Sequence, residues 1–213
     1  NIASQEGWNA AVPAAAYLAL ANQYLKMQDY DKAVKILEKN PKYTWEEDYW
    51  RSYIKCKLAV DQIRQINLAD VPEALKLEMM EDMFKRGYSA EVNEYLLDEP
   101  RYKWKPEYYF YFIAITAQNK GVDDALEICR QFMEQVKPDK GSSKAYYIIG
   151  VLCEFMSRPE KAVAIYQGLA DAGAACMDSD ARLAALKVSH RPAPSAEEIL
   201  AQVMPAGYQF RKK

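Results

Sequence analysis

The stretch that decides the reading is Tyr17-Leu18-Ala19-Leu20-Ala21-Asn22-Gln23-Tyr24, continued through Gln28-Asp29-Tyr30 to Ala33, Leu37 and Asn40-Pro41. Tyr17, Leu20, Ala21 and Tyr24 recur at the spacing of one helical face. Gln28-Asp29-Tyr30 reads as a turn. A second helix then carries Ala33 and Leu37 inward and stops at Asn40-Pro41, because proline cannot continue the ladder. The physical object is a helical hairpin. Large side chains fill the outer contacts, and the small Ala21 and Ala33 stand where two helix backbones approach closely.

This hairpin resembles the tetratricopeptide repeat family, whose unit of about 34 residues places an aromatic residue, Leu, a small residue and Tyr on its first helix. Tyr17, Leu20, Ala21 and Tyr24 stand at those positions, with Ala33 and Leu37 on the second helix. The same frame returns at Tyr146, Ile149, Gly150, Ala162 and Tyr166, with Cys153 where the family prefers Tyr. A weaker copy runs from Tyr109 to Ala125 with Gly121 in its turn, Ile113 and Cys129 matching poorly. The resemblance implies an all-α fold, a right-handed α-solenoid of antiparallel helical hairpins spanning residues 1–190. Its clearest repeats cover 14–41, 106–137 and 143–171. Residues 191–213 are read as a Pro-bearing linker (Arg191-Pro192-Ala193-Pro194), a capping helix and a tail.

A second repetition is internal. Pro41-Lys42-Tyr43-Thr44-Trp45 and Pro100-Arg101-Tyr102-Lys103-Trp104 match at an offset of 59 residues, and Tyr49, Trp50 and Tyr53 align with Tyr108, Tyr109 and Phe112. Helices are expected at 9–27, 30–39, 45–66, 71–86, 89–98, 106–119, 122–136, 142–156, 159–172, 175–188 and 195–203, with ends good to about 2–4 residues. Residues 45–66 contain no Gly or Pro, so they read either as one long helix or as a hairpin with a turn near Lys57.

Composition narrows the function. Of the 213 residues half are hydrophobic and 27% charged, and only 8 Gly and 10 Pro occur, which favours a helical globular chain. A balance of 28 basic against 30 acidic residues argues against nucleic acid as the main partner. No apolar run approaches the ~20 residues of a membrane span. Cys56, Cys129, Cys153 and Cys176 are scattered and His190 is the lone histidine, so no zinc-ligand spacing exists. The cysteines read as core residues in a reducing compartment, and the expected location is cytoplasmic. A start at Asn1 rather than Met is compatible with a processed or trimmed terminus.

No nucleophile, phosphate loop or metal motif stands out, and neither an enzyme nor a cofactor is expected. Glu46-Glu47-Asp48 and Asp123-Asp124 read as first-turn acids favoured by the helix dipole. Arg101, Tyr102, Lys103, Trp104 and Lys105 interleave rings and cations as single-strand binders do. They read first as a Trp wedged at a helix start with a solvated loop around it. Met79, Met80 and Met83 read as core.

What the family resemblance implies is a concave face lined by first helices. Leu18, Asn22 and Lys26 would face it, with Phe110 and Ala114 in the middle repeat and Tyr147 and Val151 in the later one. Asn22 matches a position used by the family's chaperone-tail binders, but Leu18 replaces their Lys, and Tyr147 and Val151 replace their polar groups. The two-carboxylate clamp is incomplete, and such a groove would prefer an apolar or amphipathic segment. The expected function is a non-catalytic scaffold or adaptor that binds a peptide or helix of a partner protein. The alternatives are a secretion-type chaperone shielding an apolar client, and an RNA-binding helical repeat protein using the Tyr102/Trp104 patch.

Overall fold

The computed structural model describes residues 13–67, 70–188 and 204. The described residues form ten α-helices and no strand, so the chain is all-α. The expected helix at 195–203, residues 9–12 of the first helix, the 191–194 linker and His190 lie outside the described residues. No described helix is long and apolar enough to cross a membrane. The chain divides into two compact units, Asn1–Met79 and Met80–Lys213, with the division inside the fourth helix.

The first unit holds α1 (Ala14–Lys26), α2 (Tyr30–Leu37), α3 (Glu47–Ala59) and the start of α4 (Glu73–Lys85). In it α1 packs on α2, and α3 packs on both. Ala21 and Ala33 are fully buried, as close backbone approach requires. Asp29 begins α2 by accepting from the Lys32 amide at 3.4 Å and pairing with its ammonium at 2.6 Å. An N-cap carboxylate is favoured there because it satisfies an orphan N–H and faces the positive end of the helix dipole.

The uncertain stretch 45–66 is not one helix. It stops at Ala59, turns through Asp61 at φ 57°, and resumes as a short 3₁₀ turn over Ile63–Gln65. Gln62 N–H donates back to the Lys57 carbonyl at 2.8 Å. The same five-residue return closes α1, α4, α8 and α9, from Asp29 to Tyr24, Tyr88 to Met83, Arg158 to Cys153 and Ala174 to Leu169. Each caps orphan carbonyls through a residue in the left-handed region. That residue is glycine only at Gly87 and Gly173, while Gln28, Asp61 and Ser157 carry a side chain there. Left-handed backbone costs an L-residue about 1–2 kcal/mol, partly offset by glycine's larger unfolded-state entropy. Asp61→Gly is therefore expected to stabilise the fold by about 0.5–1 kcal/mol in urea denaturation. A loss of stability would mean that the Asp61 side chain holds the turn.

The second unit continues with α5 (Ser89–Asp98), α6 (Tyr108–Asn119), α7 (Val122–Gln135), α8 (Ser143–Phe155), α9 (Pro159–Asp171) and α10 (Ser179–Lys187). Here α6 packs against α5, α7 and α8, and α8 against α7 and α9, with α10 on α9. The two central helices are apolar nearly all round. Buried residues run from Phe110 to Ala117 in α6 and from Ala145 to Cys153 in α8, as expected of helices covered on every side. Gly150 has no room for a side chain, since a Cβ there would lie 2.4 Å from the Tyr166 ring.

The sequence duplication is a structural one. Pro41 and Pro100 each start a 3₁₀ turn, and each turn delivers a Trp to the start of the next helix. The Trp45 indole N–H donates to the Asn40 carbonyl at 2.9 Å, and that of Trp104 to the Glu99 carbonyl at 3.0 Å. Trp45 meets Trp50 and Tyr53 edge-on, as Trp104 meets Tyr109 and Phe112. Tyr43 and Tyr102, the central residues of the two turns, are 90% and 84% exposed.

Candidate functional site

A recess of about 460 Å³ opens in the second unit. The last turns of α4 supply Glu81, Phe84 and Lys85, which share one face by their i, i+3, i+4 spacing. The first turn of α6 supplies Phe110 and Tyr111, and α8 supplies Lys144. Met177, from the loop before α10, and Met204 complete the wall. The Phe84 ring stands edge-on to Phe110 at 6.1 Å and to Tyr111 at 5.3 Å, which makes a rigid aromatic floor.

The polar side is an ion triad. Glu81 Oε1 lies 2.8 Å from Lys85 Nζ and 3.2 Å from Lys144 Nζ. Partial burial alone would raise the Glu81 carboxyl, but the two ammonium groups outweigh it and hold it below its usual range. Tyr111 is driven the other way, by burial first and then by Glu81, Asp82 and Glu107, so it stays a neutral phenol. On the rim Met177 is 45% exposed and sits at φ 52°. A large apolar side chain held in the left-handed region, half in solvent, is an observed strain of the kind that clusters at ligand clamps.

A second recess, of about 370 Å³, lies in the first unit beside the Trp45 corner. Its cation, Lys57, is buried and spends all three N–H groups internally, on Glu38 at 3.0 Å, Gln65 at 2.9 Å and Gln62 at 3.2 Å. Tyr53 O–H also donates to Glu38, at 2.9 Å. With its charge satisfied in this way the group ties α2 to α3.

The residues expected on a concave face divide sharply. In the first unit Leu18 and Asn22 are half-buried and Lys26 is exposed. Asn22 Oδ1 accepts from Ser52 Oγ at 3.4 Å, which ties it to α3. In the second unit Phe110, Ala114, Tyr147 and Val151 do not point outward but are core. The reason is cover from other helices. Phe84 lies over Phe110, and Tyr147 O–H donates to Asp178 at 2.6 Å. Of these four, only Phe110 reaches the recess.

In the basic-aromatic patch Arg101, Tyr102 and Lys103 are exposed, but Trp104 turns inward and Lys105 is half-buried. The Arg101 guanidinium lies over Trp104 and Phe112, at 5.7 and 5.1 Å from their ring centres. Tyr102 is left as the exposed ring of the patch. Glu47, Asp48, Asp123 and Asp124 sit in first helical turns. Cys56, Cys129 and Cys153 are buried free thiols, Cys176 is half-buried, and Met79, Met80 and Met83 are core. Among the described residues no cluster of His, Cys, Asp and Glu could hold a metal.

Sequence reasoning missed Glu81, Phe84, Lys85, Lys144, Met177 and Met204 as a group. The Glu81/Lys85 spacing is a visible i, i+4 pair, but nothing local links it to Lys144 or Met177. No protein-family model matches the chain, and neither the curated proteins nor the solved structures contain a significant match.

The buried phenols set an alkaline limit. Burial pushes Tyr49 up to about 12 and also raises Tyr53, Tyr111, Tyr147 and Tyr166. In the unfolded chain these groups ionise near pH 10. Above that the unfolded state binds fewer protons than the native one, so stability falls as pH rises. It is fully present below about pH 10 and is lost through pH 10–12, each such tyrosine contributing on the order of 1 kcal/mol per pH unit. Urea midpoints at about pH 9 and about pH 11 should show this fall, with tyrosinate absorbance appearing together with loss of helical dichroism. Ionisation well before unfolding would mean that these phenols are open to water.

Proposed function

We propose that the chain is a non-catalytic scaffold or adaptor of the tetratricopeptide type, a right-handed solenoid of hairpins that holds a segment of a partner protein. The segment is apolar or amphipathic, and its anchor enters the second-unit recess. The observation that carries the reading is Met177, half-exposed and strained on the rim of a recess floored by Phe84 and Phe110. Rings and thioethers supply contact area without directional demands, which suits adaptable protein recognition. The ion triad spends its charges internally and offers orientation rather than proton transfer. Support for the repeat reading comes from Ala21, Ala33, Ala125 and Ala162, all fully buried, and from the packing of α1 on α2, α2 on α3, and each of α5 to α9 on the next in the chain.

The test places a photo-crosslinking methionine analogue at position 177 of the full chain in native lysate. A defined partner peptide, crosslinked in high salt and lost when Lys85→Glu is added, is the expected result. A second chain carrying the label at position 102 serves as reference. Crosslinking at position 102 but not at 177, to nucleic acid and falling steeply with salt, would overturn the reading in favour of RNA binding.

A further inference from the structure

Tyr111 is only 2% exposed and lines the second-unit recess, yet its O–H meets no hydrogen-bond partner among the described residues. Burial first, and then the nearby carboxylates, keep the phenol protonated, so its proton is available for donation. Buried donors are rarely left in that state, because the bond to water is lost and nothing replaces it. Taking the recess as the partner site, we infer that it receives an apolar side chain accompanied by a carboxylate, so that the partner is an acidic amphipathic segment of another protein. The apolar side chain lies against Phe84, Phe110 and Met177. The carboxylate accepts from Tyr111 O–H and from the ammonium groups of Lys85 and Lys144.

The polar lining has donors to spare. Each ammonium carries three N–H groups, and Glu81 Oε1 takes one from Lys85 at 2.8 Å and one from Lys144 at 3.2 Å. Both cations are paired, but they share one carboxylate, and Glu81 is the only acid in the lining. One positive charge is left over. Asp82 and Glu107 also act on the Tyr111 phenol, but neither lines the recess, so the charges facing its contents are those of the triad. The donors come from α4, α6 and α8, three separate helices that converge on one recess of about 460 Å³. That volume falls within the range of about 300–1,000 Å³ typical of ligand sites.

Other occupants fit this lining worse. A wholly apolar anchor would seal Tyr111 O–H from water without giving it an acceptor, and would strip water from the triad. A lysine or arginine beside the anchor would meet two ammonium groups. A carboxylate satisfies the phenol and the surplus charge together, through the stronger, charge-assisted kind of hydrogen bond.

The test uses the full chain and fluorescent synthetic peptides, acetylated and amidated so that they carry no terminal charge. Each has one Leu in a Gly/Ser background, with Glu, Gln or Lys placed one, three or four residues after it. Fluorescence anisotropy should show a Glu peptide binding about tenfold tighter than its Gln twin, with the Lys twin weakest. Lys144→Met in the chain should remove most of that preference, and Tyr111→Phe about threefold of it, while the Gln peptide binds all chains alike. Unchanged helical dichroism in both variants excludes unfolding as the cause. Equal affinities for Glu and Gln peptides, a preference for Lys, no binding by any peptide, or a Glu preference that survives both substitutions overturns the inference. The Met177 crosslink separates the two levels. If it forms while the peptides show no acid preference, the partner site stands and the acidic partner falls. If crosslink and peptides both fail, the recess is not a partner site.

Discussion

Trp45→Ala is expected to destabilise the fold by about 3–5 kcal/mol, the usual cost of emptying a large buried aromatic site. Trp45 is 8% exposed and has three rings, Tyr49, Trp50 and Tyr53, each 4.8 Å from its own centre. Its indole N–H also satisfies the Asn40 carbonyl just past the end of α2, and Tyr49 O–H satisfies Leu37 at 2.8 Å. Truncation therefore removes packing and leaves a carbonyl short of its partner, which adds to the loss. Against a native stability of about 5–15 kcal/mol, the variant would be largely unfolded in mild urea. Tyr43→Ala, two residues away and exposed, should change the midpoint hardly at all. Trp104→Ala, in the half-buried second copy of the corner, should fall between them. Equal effects of Trp45→Ala and Tyr43→Ala would mean that the corner does not support the core.

The second large effect is expected at Arg182. This guanidinium, from α10, is buried against the Glu154 carboxylate of α8, which also accepts from Tyr166 O–H at 2.7 Å. Arg182 Nε lies 3.4 Å from Asp178, which accepts in turn from Tyr147. Removing one member of a buried pair leaves the other charge without compensation, at a typical cost of about 3–5 kcal/mol. Arg182→Met should show that loss, because methionine fills volume but leaves Glu154 and Asp178 facing no cation. Adding Glu154→Gln should restore much of it, since a neutral amide needs no countercharge. A double variant no better than the single one would show that Arg182 acts through packing alone.

These predictions separate what was legible from what was not. The Trp corner was legible twice over, because Pro41 and Pro100 fix φ locally and the following Trp has one nearby apolar direction to take. The hairpin end at Gln28-Asp29-Tyr30 was legible for a different local reason, a capping Asp between two helical faces. The break at Asp61 was not. Its signal would have been glycine, and here a carboxylate side chain occupies the left-handed position because the bond from Gln62 to Lys57 holds it there. Phe110 lines the recess, whereas Ala114, Tyr147 and Val151, expected on an outward face, are core. In helices as apolar as α6 and α8 the pattern has no polar face, so periodicity cannot say which side another element will cover.

Sequence by itself determined the helical class, most helix boundaries, the duplicated corner and the small residues at helix crossings. All of these depend on interactions within a few residues or on a repeating period. Tertiary structure alone decided that Phe84 covers Phe110, that Lys144 joins Glu81, that Arg182 meets Glu154, and that Met177 and Met204 share a wall. Those pairings join groups as much as 63 residues apart. Many partners of similar chemistry lie at such separations, and only the packing of the helices selects among them.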